Sequence, residues 1–114
     1  MAAIGGKTRL ALQTKTAVKN EIGEAVAVWS DAVVLTGWLG LQGGDSKYRT
    51  YNAKLEESTH VFLCDYNSAA YGLAGQDLRA ICKRIVYDVL LVDNPDEMNE
   101  QLEIYLRRVG AWDG

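Results

Sequence analysis

The sequence is poor in the residues that punctuate or cross-link a fold. It has one proline, one histidine, one phenylalanine and two cysteines in 114 residues. The lone proline makes Asn94-Pro95-Asp96 the clearest chain break, because proline has no N–H to give and disfavours helix in the residue before it. Cys64 and Cys82 match neither a zinc motif nor a disulfide framework. Both lie in apolar runs and read as reduced, buried thiols. A zinc site needs three or four convergent ligands, and none stand at local spacing. No apolar run approaches the roughly 20 residues that cross a bilayer. The first residues, MAAIGGKTRL, lack the apolar core of a signal peptide. The expectation is synthesis in the cytoplasm and no membrane partner.

Motifs of chemistry are equally scarce. There is no phosphate loop, dinucleotide fingerprint or nucleophile elbow. The pairs Gly5-Gly6 and Gly43-Gly44 have no strand-to-helix context. His60 is the one residue on which an enzyme reading rests, with Asp65 or Asp77 as its partner. A single histidine on a strand is more often structural, so neither catalysis, a cofactor nor a metal is expected.

Charge is balanced rather than absent. Twelve Lys and Arg against fifteen Asp and Glu give a formal net charge of −3. That argues against a dedicated nucleic-acid binder, whose affinity comes largely from cations on phosphates. It is compatible with DNA that slides past without sticking. Apolar residues make up 48% of the chain and charged ones 24%, ordinary values for a globular protein. A chain of this length favours one domain, 1–114, that buries about two-thirds of its unfolded surface. Residues 1–6 and 111–114 are expected to be flexible ends.

The pattern that is present is mostly β. Arg9 to Thr14 alternates as a short strand. Thr16 to Glu24 reads as a polar turn with Asn20 and Gly23, and Ala25 to Trp29 as the returning strand of a hairpin. Val33 to Leu41 reads as a third strand, with Gly37 and Gly40 marking a bulge or bend. Thr59 to Tyr66 is a further strand. It puts Val61, Leu63 and Asp65 on one face and His60, Phe62, Cys64 and Tyr66 on the other. Asn67 to Gln76 reads as a loop, and Leu78 to Cys82 as a short strand or turn. Strands recurring between turn signals indicate a small barrel or sandwich.

Ile85 to Val109 is the most readable stretch. Its first half, through Val92, is a crowded β run around Tyr87. The second half is open to two readings. Leu102, Ile104 and Leu106 alternate with Glu103, Tyr105 and Arg107 as in a half-buried strand. Met98, Leu102, Tyr105, Leu106 and Val109 equally fall on one helical face, with Asn94 as N-cap and Gly110 beyond the last turn.

Two stretches carry the candidate functional residues. Residues 43–58 hold eight charged or tyrosine side chains: Asp45, Lys47, Tyr48, Arg49, Tyr51, Lys54, Glu56 and Glu57. So polar a stretch cannot bury much of itself, and loops of that length in compact domains are usually functional or disordered. Around the proline, Asp93, Asp96, Glu97, Glu100 and Glu103 form a solvated acidic loop or a charged docking edge. Trp29, Trp38 and Trp112 read as core or interface residues, and Trp112, near the chain end, is the best interface candidate.

The order of these pieces resembles a family. RLALQTKT, a turn with Gly23, Trp29, VVLTGWLGL, a polar loop, STHVFLCDY, YDVLLVDNP and LEIYLRRVG follow one another from Thr8 to Gly110. Ser58-Thr59-His60, Asp65-Tyr66, Tyr87-Asp88-Val89 and Val92-Asp93-Asn94-Pro95 carry most of it. The chain thus resembles the head–tail joining (head-closure, stopper or adaptor) proteins of tailed bacteriophages with long non-contractile tails. That resemblance implies a small antiparallel β-barrel that forms a dodecameric ring in the virion, below the portal and adaptor proteins. The ring would close the DNA channel and offer a docking surface to the tail terminator or tail tube. The long loop of each subunit would project to the channel, with Lys47, Tyr48, Arg49, Tyr51 and Lys54 in transient contact with double-stranded DNA. Asp93, Asp96, Glu97, Glu100 and Trp112 would serve subunit or partner contacts. A monomer is expected before assembly. The resemblance makes Leu102 to Arg107 a strand; a short helical turn at Pro95 to Asn99 before it reconciles that strand with the helix signals. Other readings are a tail-completion or tail-terminator protein of the same particle, and a generic β-barrel binding module.

Overall fold

A computed structural model describes residues 7–41 and 58–112. Six antiparallel strands dominate it: β1 (Thr8–Lys19), β2 (Ala25–Leu41), β3 (His60–Asp65), β4 (Leu78–Cys82), β5 (Ile85–Asp93) and β6 (Gln101–Ala111). They close on themselves in the order β1-β2-β3-β6-β5-β4. The alternation of the sequence fills the interior. Leu10, Leu12, Phe62, Leu102, Ile104 and Leu106 are fully enclosed, with Leu35, Cys64, Ala80, Cys82, Tyr87 and Val92 around them. Burial raises the pKa of both thiols, that of Cys64 to about 11, aided by the nearby Asp65 carboxylate. Both cysteines are free, as expected.

The second run of the Ile85–Val109 stretch is a strand. It pairs with β3 on one side and β5 on the other, so its period-two face, not its helical face, meets the core. A 3-10 turn at Pro95–Glu97 precedes it. Asn94 does not cap that turn with its side chain, contrary to the N-cap expectation. The strand reaches Ala111 opposite Ile85, and the Trp112 N–H donates to the Arg84 carbonyl at 3.0 Å. The expected loose tail therefore does not begin at 111; residues 113–114, like 1–6, lie outside the described residues.

Three boundaries differ from expectation. The two segments Ala25–Trp29 and Val33–Leu41 are one long strand, because the register with β1 runs through both. Leu12 faces Val33 and Gln13 faces Asp31, so Ala32 is the extra residue of a bulge. The bulge thus falls there and not at Gly37 or Gly40. Strand β1 also runs on to Lys19, and the turn contracts to Asn20–Glu24. In that turn the Asn20 side-chain oxygen accepts from Ile22 and Glu24 N–H groups at 3.1 and 2.9 Å, with Gly23 at φ 86. The expected loop 67–76 contains a single helical turn, α1 (Ser68–Tyr71), capped by Asn67, whose side chain accepts from the Ala70 N–H at 3.0 Å. This connection leads from β3 to a strand that is not its neighbour, and Ala70 is buried with the core.

Because β1 leaves β4 at Thr14, the remainder of β1 and β2 projects as a two-stranded arm. The molecule is accordingly elongated, 51 × 29 × 26 Å. A lone hairpin is marginal in water, and this one is tied down at its base. The Gln13 side chain, almost fully buried, donates to Asp31 at 2.8 Å and accepts from Arg79 Nε at 2.6 Å. Arg79 and Lys15 stack on Trp29, 4.9 and 5.9 Å from its ring centre. Trp38 lies under Lys7 in the same way. Neither tryptophan belongs to the interior, contrary to the core alternative.

A Cβ on Gly37 would overlap the Leu63 carbonyl of β3, whereas one on Gly40 would meet open space. Gly37→Ala is expected to cost about 1–3 kcal/mol, the usual range for overpacking. Gly40→Ala should be neutral or gain about 0.5 kcal/mol from reduced backbone freedom. Urea denaturation of the two variants checks the contrast; equal effects would contradict the close approach.

Candidate functional site

The strands sort the candidate residues to the two ends of the barrel. One end carries the start of β1, the end of β2, the start of β3, the Lys83-Arg84 turn and the end of β6. The other carries the arm, α1 and the acidic turn between β5 and β6. The five loop candidates, Lys47, Tyr48, Arg49, Tyr51 and Lys54, lie outside the described residues. Their segment joins Leu41 to Ser58, so it springs from the first end.

Its return to the barrel is pinned by Thr59. The Thr59 N–H donates to the Leu106 carbonyl at 2.8 Å. Its hydroxyl accepts from the Arg108 N–H at 2.8 Å and reaches the same Leu106 carbonyl at 3.5 Å. His60 Nδ1 lies 2.9 Å from that hydroxyl. The His60 ring stands edge-on to Tyr87, centroids 5.1 Å apart. Ser58 is buried just before. Burial, then the neighbouring Arg108 charge, lowers the pKa of His60. His60 pairs with neither Asp65 nor Asp77. Asp65 ends the strand that His60 begins, and Asp77 precedes β4 at the far end. The constellation that an enzyme reading would need is not assembled.

At the other end, Asn94 organises the acidic turn. Its buried amide donates to the Asn99 side chain at 2.8 Å and accepts from the Asn99 N–H at 3.1 Å, while its carbonyl accepts from Glu97 N at 2.8 Å. Asp96, Glu97 and Asn99 all adopt positive φ (54, 52 and 58°). Such a conformation costs of order 1–3 kcal/mol per residue. Asp93 is half-buried and Asp96, Glu97 and Glu100 are exposed. Desolvation, then the charges of Glu103 and Asp96, raises the pKa of Asp93. Trp112 is not part of this group: it stands beside Arg84, at the opposite end of β5 and β6. The interface candidates therefore form two separate places.

A shallow groove runs beside the arm, bounded by Trp29, Leu78, Val89 and Leu90. The arm itself leaves Val18, Ile22, Val26 and Val28 exposed. Among the described residues, no three His, Cys, Asp or Glu gather as a metal site, and no helix is long and apolar enough to cross a membrane. The Thr59 node, the Gln13–Asp31–Arg79 relay and the Asn94 clamp were not singled out from the sequence. Each joins residues distant along the chain or uses a side chain whose polarity alone signals nothing.

Fold and site together define a class: a small closed β-barrel whose distinctive features among the described residues are an arm and a strained turn. A family model described as phage head completion protein matches residues 1–109, and the chain belongs to that family. It is thus a structural protein of bacteriophage assembly. No curated protein matches the chain. The solution structure of protein SF1141 from Shigella flexneri 2a resembles it with a TM-score of 0.64 at 18% identity, covering 89% of this chain and 90% of that one. At that identity the likeness is one of fold.

The acidic turn generates a prediction about pH. A carboxyl whose folded pKa is raised is destabilising when ionised. The penalty is absent below the ordinary carboxylate range and sets in as pH rises through the raised value. Asp93→Asn should therefore raise the melting temperature at pH 7, and the gain should vanish near pH 3. Thermal denaturation at both pH values checks this; an equal gain at each would assign it to something other than charge.

Proposed function

We propose that this chain forms the head-closure ring of a phage connector: a homo-oligomer below the portal and adaptor that holds packaged DNA and presents a docking surface to the tail. The observation that carries the reading is the 16-residue polar segment, 43–58, springing from one end of a barrel in a head completion family. Its root is held to β6 by three hydrogen bonds around Thr59, so a movable segment would start from a fixed point. Lys47, Arg49 and Lys54 would touch phosphates, while Asp45, Glu56 and Glu57 prevent a permanent grip. Tyr48 and Tyr51 would pack neighbouring loops together.

Ring closure requires two different patches on each subunit. Trp112 is proposed to meet the neighbouring subunit. Asp93, Asp96, Glu97 and Glu100 form an edge for a partner protein, and strained backbone held by a buried clamp suits a surface that must keep one shape. Each contact is then individually weak, since the portal gathers subunits at high effective concentration.

Purified portal-bearing heads incubated with the protein should show a capping ring by electron microscopy. Binding to tail tubes rather than to portal–adaptor complexes in a pull-down would make it a tail-completion protein instead. Deleting Tyr48 to Glu56 should leave a folded subunit, because shortening a loop changes closure entropy little. Filled heads carrying that variant should lose DNA. Normal retention would overturn the gating role.

A further inference from the structure

The net charge of −3 conceals a strong polarity along the barrel axis. The loop-bearing end gathers Lys7 and Arg9 from the start of β1, Lys83 and Arg84 from the β4–β5 turn, and Arg108 from the end of β6. The register sets them side by side. Leu10 faces Cys82, so the β1 start runs along the Lys83-Arg84 turn. Tyr87 faces Arg108, so β6 continues the rim on the other side of that turn. All five cations are exposed. No described Asp or Glu accompanies them; the nearest along the strands is Asp88, already held by Arg107 at 2.9 Å. Asp65, Asp77, Asp93, Asp96, Glu97, Glu100 and Glu103 all stand toward the opposite end. The polar loop adds three cations and three carboxylates by sequence, hence no net charge, and Asp113 lies outside the described residues.

A second observation comes from the turn itself. Lys83 and Arg84 are the two residues of a tight hairpin loop, with φ of 52 and 64°. Positive φ at both positions is the demand of a type I′ turn, which Asn-Gly meets at least cost. Two long cationic side chains at these positions are a local choice against stability, and such choices concentrate at functional surfaces.

We propose that the rim formed by Lys7, Arg9, Lys83, Arg84 and Arg108 is a contact surface for the phosphate backbone of duplex DNA. It deepens the head-closure reading and rests on it: the fixed barrel rim, not only the loop, faces the DNA, and the acidic end faces away. Five exposed, unneutralised cations give a salt-sensitive, sequence-independent attraction. That is a guide for a polymer that must pass, not a tight grip.

The test is a titration of the full-length, isotope-labelled protein with a 20-base-pair duplex at 50 mM salt, followed by amide shifts. Shifts should concentrate at Lys7–Arg9, Lys83–Arg84 and Arg108, and spare Asp93–Glu100. Engaging three to five of these cations should give a log–log salt slope of about −3 to −4.5. The double variant Lys83→Asn, Arg84→Gly should melt higher than the parent, because its turn is relaxed, yet bind duplex more weakly and with a salt slope shallower by about 1.8, roughly 0.9 for each lost phosphate contact. A folded double variant that binds like the parent would overturn the proposal. So would shifts confined to the acidic end, or tighter binding of poly-glutamate than of duplex, which would assign the rim to an acidic protein partner. Rim binding to duplex without a ring on portal-bearing heads would instead count against the head-closure reading alone.

Discussion

Everything distinctive about this molecule follows from how the sheet closes. The first strand must pair with β4 as well as β2, and it does so over only five residues, Leu10 to Thr14. That short seam seals the interior, because it brings Leu10 and Leu12 against Phe62, Leu102, Ile104 and Leu106. It also fixes what is left over. The strand beyond Thr14 and its partner have no third neighbour, so they become an arm. The bulge at Ala32 lies where barrel turns into arm, as expected of a device that bends a strand and sharpens its twist. The Gln13–Asp31–Arg79 relay and the cations over Trp29 lie at the same junction. The arm's exposed valines are then intelligible: they occupy strand positions for which the closed ring supplies no cover.

Closure also decides which periodicity counts. Residues 98–109 satisfy a helical template and a strand template together, and no local rule separates them. The separation is tertiary. A strand there completes the ring between β3 and β5 and buries Leu102, Ile104 and Leu106 at zero exposure. A helix would leave two sheet edges unpaired. The strands legible from sequence are the one around Phe62, which alternates cleanly, and the one around Tyr87, which is crowded with β-branched and aliphatic residues; Leu78 to Cys82, open between strand and turn, is a strand. The long second strand was misread as two because Ser30-Asp31-Ala32 looks like a turn. The polarity there is real, but Asp31 uses it to bind Gln13 across the ladder. Likewise the polar run from Thr16 looked like a turn because an arm with no cover needs no apolar face on both sides.

The candidate site was legible to different degrees for similar reasons. The acidic turn announces itself by composition. The clamp inside that turn does not, because Asn94 reads as a helix cap until its amide is seen bonded to Asn99. Thr59 is an unremarkable residue in sequence, yet its single hydroxyl links β3 to β6 where the loop returns. Pairing Trp112 with the carboxylates as contact residues was natural from composition. Antiparallel geometry separates them, because β5 carries the chain from one end of the barrel to the other between Arg84 and Asp93.

The same geometry explains why net charge conceals the polarity of the two ends. An average over the chain treats the molecule as a sphere, but antiparallel closure alternates strand directions and so assigns every turn to one of two ends. Outside the arm, where Lys15 and Lys19 offset Glu21 and Glu24, cationic residues occupy the turn and strand termini of one end, and carboxylates those of the other. Summing them cancels a dipole that persists at the scale of the barrel, which is longer than the roughly 8 Å screening length at physiological salt. A partner meeting one end therefore feels that end's sign and little of the other. A weakly acidic protein can in this way present a basic face to a polyanion, while its opposite face repels the same polymer and so favours one orientation of the barrel toward it.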